Sequence, residues 1–137
     1  MRKNILNLIN PVWAIGVIAV LFSACQRPAV SLPIGQEIEV KLHQTYQVDN
    51  TLSFTIENVQ DSRCPMDAIC IQAGKAEVKV QCKLENKSSW YTIDPENQPE
   101  IRLGNYQLRF TELFPYPQST VRVRDEDYTL KVLISAL

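Results

Sequence analysis

The chain has 137 residues, with 14 lysines and arginines, 15 aspartates and glutamates and a single histidine, which gives a net charge of −1. This length suits one domain with a modest hydrophobic core. A chain without an excess of basic residues lacks the positive face that nucleic-acid binding requires, so we expect no nucleic-acid partner. One histidine and four cysteines also leave little from which to build a catalytic triad or a zinc site.

The N-terminus has the parts of a secretory signal peptide. Arg2 and Lys3 make a short positive segment, and an apolar run follows over residues 12–22. Such a run is shorter than the roughly 20 apolar residues that a membrane-spanning helix needs. An uncleaved helix over residues 5–24 is the alternative. The pattern favours export of the chain across a membrane.

Three residues that follow the apolar run, Ser23, Ala24 and Cys25, resemble the lipobox of bacterial lipoproteins. The resemblance implies cleavage before the cysteine, so that residues 1–24 are a lipoprotein signal peptide and Cys25 carries the lipid anchor. Several acyl chains hold a protein stably on a membrane. Residues 25–35 contain two prolines and are expected to be a tether. The expected location is the bacterial cell envelope, with the domain facing the periplasm.

The rest of the chain alternates apolar and polar residues with period two, which is typical of strands with one buried face. Strands are predicted over residues 37–42, 51–57, 75–85, 106–111 and 128–134, with shorter ones at 89–93 and 120–124. Short strands at this spacing, without a helical stripe, predict an all-β domain over residues 36–137. We expect a single antiparallel immunoglobulin-like β-sandwich, and a small, partly open β-barrel is the alternative.

Residues 61–74 break the alternation and contain two cysteines. In an oxidising compartment, Cys64 and Cys70 are expected to form a disulfide. Cys82 lies on the apolar face of a predicted strand, which favours a buried free thiol that packs as a small hydrophobic group. A bridge from Cys82 to either loop cysteine is the alternative.

This loop carries a motif that resembles one in small secreted bacterial proteins and lipoproteins of unassigned function. The motif residues are Ser62, Arg63, Cys64 and Pro65, then Cys70, then Ala73 and Gly74. The resemblance continues at residues 106–110 and 113–117, and it departs at Gln72, where an aromatic residue is expected. It implies a single β domain and a pair between Cys64 and Cys70, and it implies no activity.

Two segments are candidates for binding. Asp61, Arg63 and Asp67 concentrate charge in the cysteine loop, and exposed loops on a rigid sandwich are common binding sites. Arg63 would be the anchor, since its planar guanidinium suits a carboxylate or a phosphate. Turn-forming carboxylates with one salt bridge are the alternative role of these charges. Phe114 and Tyr116 belong to a second segment, which prolines hold extended; packing into one end of the sandwich is their alternative role. The expected partner is an envelope protein, a peptide or a glycan.

These observations favour a non-catalytic binding or scaffolding domain that needs no cofactor and no metal. A catalytic triad would have to use His43, and the chain has no Gly-x-Ser-x-Gly motif to support one. A protease inhibitor that presents the cysteine loop is one alternative. A copper-handling protein is another, because Cys64, Met66 and Cys70 would supply soft sulfur ligands if the thiols stayed reduced.

Overall fold

The structure is a computed structural model that describes residues 29–137. The expected signal peptide and Cys25 lie outside the described residues, so both stay predictions. Within residues 29–137, no helix has the length and apolar character needed to cross a membrane.

Within residues 29–137, nine strands form two sheets. In the five-stranded sheet the order is β1 (Val30–Ser31), β3 (Thr45–Gln47), β4 (Leu52–Asp61), β5 (Ala76–Leu84) and β6 (Lys87–Ile93). In the four-stranded sheet the order is β2 (Glu37–Lys41), β9 (Thr129–Ala136), β8 (Tyr106–Phe114) and β7 (Glu100–Leu103). A short 3-10 helix (Asp125–Asp127) precedes β9. All neighbouring strands are antiparallel except β1 and β3, which run parallel.

The core lies between the two sheets, as the period-two alternation predicts. Along β5, for example, Ala76, Val78, Val80 and Cys82 are all buried, and the residues between them face outward. Phe54 of one sheet meets Phe110 of the other edge to face, with ring centroids 6.2 Å apart. The all-β sandwich is therefore confirmed, and the barrel alternative is wrong because the strands divide into two separate sheets.

Four short segments differ from the prediction. Residues 120–124 do not form a strand, because only an isolated bridge between Gln118 and Val121 pairs there. The strands β3 and β7 were not predicted, since three or four residues are too few to show a period. Val30 and Ser31, expected to belong to the tether, instead form β1 at the edge of the larger sheet.

The sandwich has two distinct ends. The loop end carries residues 62–75 between β4 and β5, the turn after β6, the chain that leaves β8 and the 3-10 helix. The opposite end carries the short turn between β5 and β6. The two candidate binding segments both lie at the loop end.

Candidate functional site at the loop end

The stapled loop, residues 62–75, is closed by a disulfide and by backbone hydrogen bonds. Cys64 and Cys70 are bonded, which confirms the expected pair. The Cys64 amide donates to the Ala73 carbonyl at 2.7 Å, and the Ser62 amide donates to the Lys75 carbonyl at 2.9 Å. These bonds continue the ladder of β4 and β5 into the base of the loop, so the loop stands as a fixed projection.

Gly74 makes this narrow base possible. Its φ of +72° is in the left-handed region, which favours glycine. A Cβ atom there would lie 1.8 Å from the backbone oxygen of Ser62. No side chain fits in that space, so the local structure explains why the motif has glycine at position 74.

Arg63 is buried, with only 6% of its surface exposed. Its Nε and Nη2 donate to the two carboxylate oxygens of Asp61 at 2.9 and 2.6 Å. The side chain of Asp61 is 4% exposed, so both charges are withdrawn from water. The hydroxyl of Tyr128 also approaches this carboxylate, at 3.4 Å.

The guanidinium also reaches the other sheet. Nη1 of Arg63 donates to the Leu113 carbonyl and Nη2 donates to the Pro115 carbonyl, both at 3.1 Å. Its carbon atom lies 4.4 Å from the ring centroid of Tyr116, a cation–π contact. Burial lowers the pKa of Arg63, but the hydrogen bond and charge of Asp61 outweigh burial and raise the pKa overall. Arg63 is therefore an internal brace, and the prediction of an exposed anchor is wrong.

Asp67 ties the stapled loop to the segment that follows β8. It is exposed, and its carboxylate accepts from the Ser119 amide at 2.8 Å and from the Ser119 hydroxyl at 2.5 Å. These bonds lower the pKa of Asp67. The Met66 amide donates to the Pro117 carbonyl at 3.1 Å. The two candidate segments, considered separate in the sequence, therefore form one continuous surface.

Phe114 and Tyr116 differ in exposure. Phe114 is 45% exposed, and the ammonium of Lys131 lies 5.5 Å from its ring centroid. Tyr116 is half-buried against Arg63. Neither ring enters the core between the sheets, so both remain available at the surface of the loop end.

A cleft of about 240 Å³, the Tyr116 cleft, opens beside these rings. Its lining residues are Arg63, Ala76, Pro95, Glu96, Thr111, Glu112, Leu113, Phe114 and Tyr116. The hydroxyl of Thr111 is buried and has no hydrogen-bond partner within residues 29–137. Glu112 forms a salt bridge with Lys131 at 2.8 Å. The carboxylate of Glu96 forms no salt bridge within residues 29–137. The cleft thus combines aromatic walls, an immobile cationic floor and an acidic rim.

Sequence reasoning missed Glu96 and Thr111. Thr111 lies at an irregularity in the pairing of β8 with β9, between Phe110 and Glu112, and Glu96 lies in the turn after β6. A bulge leaves no clear trace in an alternating pattern, and turn-forming residues such as those at 94–97 indicate only a change of direction. Their position beside Arg63 depends on how the two sheets pack, which a local pattern does not report.

The remaining candidates lie elsewhere or serve the fold. Cys82 is a free, buried thiol, as expected, and burial raises its pKa to about 12. His43 is exposed in the turn between β2 and β3, with a φ of 57°. Across residues 29–137, no group of three or more His, Cys, Asp or Glu side chains is arranged to hold a metal ion. Comparisons with protein-family models, curated proteins and solved structures found no match.

Proposed function

We propose that this chain is a lipid-anchored protein of the bacterial envelope whose sandwich is a non-catalytic binding domain. The Tyr116 cleft is its binding surface. The observation that carries the proposal is the braced cleft itself, in which Arg63 is locked by Asp61 beneath Tyr116. A fixed floor beneath exposed rings loses little conformational freedom on binding, which favours recognition.

The chemistry of the cleft fits a side chain or short segment of a peptide or protein. Phe114 and Tyr116 offer apolar and aromatic contact, and Glu96 offers an acceptor at the rim. A partner that supplies both apolar area and a hydrogen-bond donor for Glu96 would match these features.

Site-specific photo-crosslinking in intact cells tests the binding surface. A photoreactive phenylalanine analogue at Phe114, which is exposed at the cleft, should capture an envelope protein or peptide. The same analogue at Asn86, in the turn at the opposite end, is the matched control. Identical products from both positions, or none from Phe114, would contradict the proposal.

A second experiment tests the anchor independently. Cys25→Ala should abolish incorporation of labelled fatty acid and leave a precursor that retains residues 1–24. Normal incorporation in this variant would rule out lipidation at Cys25. The crosslinking result would still stand, because the sandwich begins several residues later.

A protease inhibitor is the second candidate function, because Ile69 and Ile71 are fully exposed on either side of Cys70 in the stapled loop. A rigid, projecting loop of this kind could enter a protease active site. This function would be supported if the protein inhibited an envelope protease and the Ile69→Asp variant did not. The copper-handling alternative needs thiolates, and the sulfurs of Cys64 and Cys70 are bonded to each other.

A further inference from the structure

The tip of the stapled loop exposes large apolar side chains. Ile69 and Ile71 have relative exposures of 105%, and Met66 has 66%. Single exposed apolar residues are common, but clusters at a projecting tip mark an interaction surface. These three residues lie within six positions of one another and point away from the core.

The loop cannot turn these side chains inward. The disulfide closes the loop, Asp67 binds Ser119, and Met66 binds Pro117 through its backbone. The apolar tip is therefore a permanent feature of the folded domain in water. A partner that is itself apolar must cover it for the burial to be favourable.

The direction of β1 relates the start of the described chain to the loop end. β1 runs parallel to β3, with Val30 beside Tyr46 and Ser31 beside Gln47. Tyr46 pairs with Phe54 of β4, which runs towards the loop end, so β3 and β1 both run away from it. The chain consequently enters β1 from the loop end, where the tip of the stapled loop projects.

The chain before β1 is short. Val30 lies level with Phe54, and at about 3.3 Å per residue β4 rises roughly 23 Å from Phe54 to Asp61, where the stapled loop begins. Cys25 precedes Val30 by five residues, which span at most about 18 Å. If this segment continues in the direction in which the chain enters β1, a lipid on Cys25 holds the loop end against the bilayer, since the stapled loop projects farther than the segment reaches.

We propose that the apolar tip formed by Met66, Ile69 and Ile71 enters the interfacial region of the lipid bilayer. The proposal rests on the anchoring at Cys25 proposed above. Apolar side chains on a membrane-held domain bury favourably at the boundary between headgroups and acyl chains. The contact orients the sandwich and places the Tyr116 cleft close to the membrane surface, so a partner would bind the cleft near the membrane.

The attraction is apolar rather than ionic. Asp67, exposed beside the tip, and the acidic 3-10 helix at the same end oppose attraction to anionic lipid. Ionic binding weakens as salt increases, whereas apolar burial does not. The contact should therefore persist at high ionic strength.

Tryptophan fluorescence in vesicles tests the orientation. The lipidated mature protein, with Trp90→Phe to remove its own tryptophan, would be placed in phosphatidylethanolamine–phosphatidylglycerol vesicles with brominated acyl chains. Ile69→Trp, at a fully exposed position, should be blue-shifted and quenched by the brominated lipid. Ile71→Trp repeats the measurement on the other side of Cys70. Asn86→Trp, at the opposite end, is the control and should be neither shifted nor quenched.

The outcomes separate the two proposals. Flotation of every variant with the vesicles, but without quenching at Ile69→Trp or Ile71→Trp, overturns the membrane contact and leaves the anchor in place. Quenching at Asn86→Trp instead overturns the inferred orientation. Loss of flotation overturns the anchor and, with it, this inference. Crosslinking of the tip to a protein, without lipid quenching, would assign the tip to a protein partner instead.

Discussion

Arg63→Ala tests the brace at the centre of the loop end. The substitution removes the partner of a buried carboxylate and the two hydrogen bonds that join the stapled loop to Leu113 and Pro115. In the variant, Asp61 has no cationic partner, and its side chain, 4% exposed, stays buried unless the loop opens. The variant must therefore either bury an unpaired carboxyl group or lose the packing of the loop end.

The expected cost is large for a single substitution. Breaking a buried ion pair by removing one partner typically costs about 3–5 kcal/mol. In a domain of roughly 100 residues, each kcal/mol lowers Tm by about 4–8 °C, so the fall should be about 12 °C or more. The cost reflects the carboxylate left behind rather than a large net contribution of the pair, because burying both charges also has a penalty.

Urea unfolding of the oxidised domain measures this loss of stability. Arg124→Ala is the matched control, since Arg124 also contacts two acids, Glu126 at 2.8 Å and Asp127 at 3.0 Å, but is 67% exposed. An exposed pair contributes about 1 kcal/mol or less, so the control should change little. Equal losses in the two variants would refute the assignment of Arg63 as a brace.

Three further substitutions, the first with a matched control, probe the loop, the core and the opposite end, each by urea unfolding. Gly74→Ala and Gly35→Ala both place a side chain at positive φ, which should lower the free energy of unfolding by about 1 kcal/mol. Only Gly74→Ala meets backbone, so it should lose about 1–3 kcal/mol more; equal losses would contradict the close approach. Cys82→Ala should cost about 1–2 kcal/mol, and in the wild type a thiol reagent should reach Cys82 only after denaturation; rapid labelling of the native domain would contradict its burial. A hydrogen bond from Tyr106, together with backbone amides, holds the pKa of Asp49 well below its ordinary 3.8. The ionised carboxylate therefore stabilises the fold above pH 3.8, and this stabilisation is lost as the pH falls towards the lowered pKa. Asp49→Asn should therefore flatten the acid limb of the stability profile, and an unchanged limb would exclude this contribution.

The sequence predicted the sandwich because its signal is local and repeated. In β5 every second residue is apolar, and that period alone identifies the face that meets the core. The same rule fails where few residues are available, as in β3, or where alternation has no neighbouring strand to pair with, as at residues 120–124. Val30 joins the sheet although prolines surround it, because an edge strand needs hydrogen bonds on only one side.

The candidate site was harder to predict because most of its contacts join residues far apart in the sequence. The disulfide joins residues six apart, so their spacing and the expected export of the chain were sufficient to predict it. Arg63, however, is completed by carbonyls 50 and 52 positions away, at Leu113 and Pro115. A charged residue in a polar loop reads as exposed, and only long-range packing shows that it is buried.

The brace explains why the loop end uses a charged pair where an apolar one would fill the same space. A buried ion pair is not required for stability, since well-packed apolar groups can do as well. Hydrogen bonds have direction, and Arg63 uses them to fix the end of β4 and the two carbonyls at the end of β8, those of Leu113 and Pro115. Its guanidinium also contacts the ring of Tyr116. An apolar side chain would fill the volume without fixing those positions. Fixed positions are what the binding surface proposed here needs, because affinity depends on the order already present before the partner arrives.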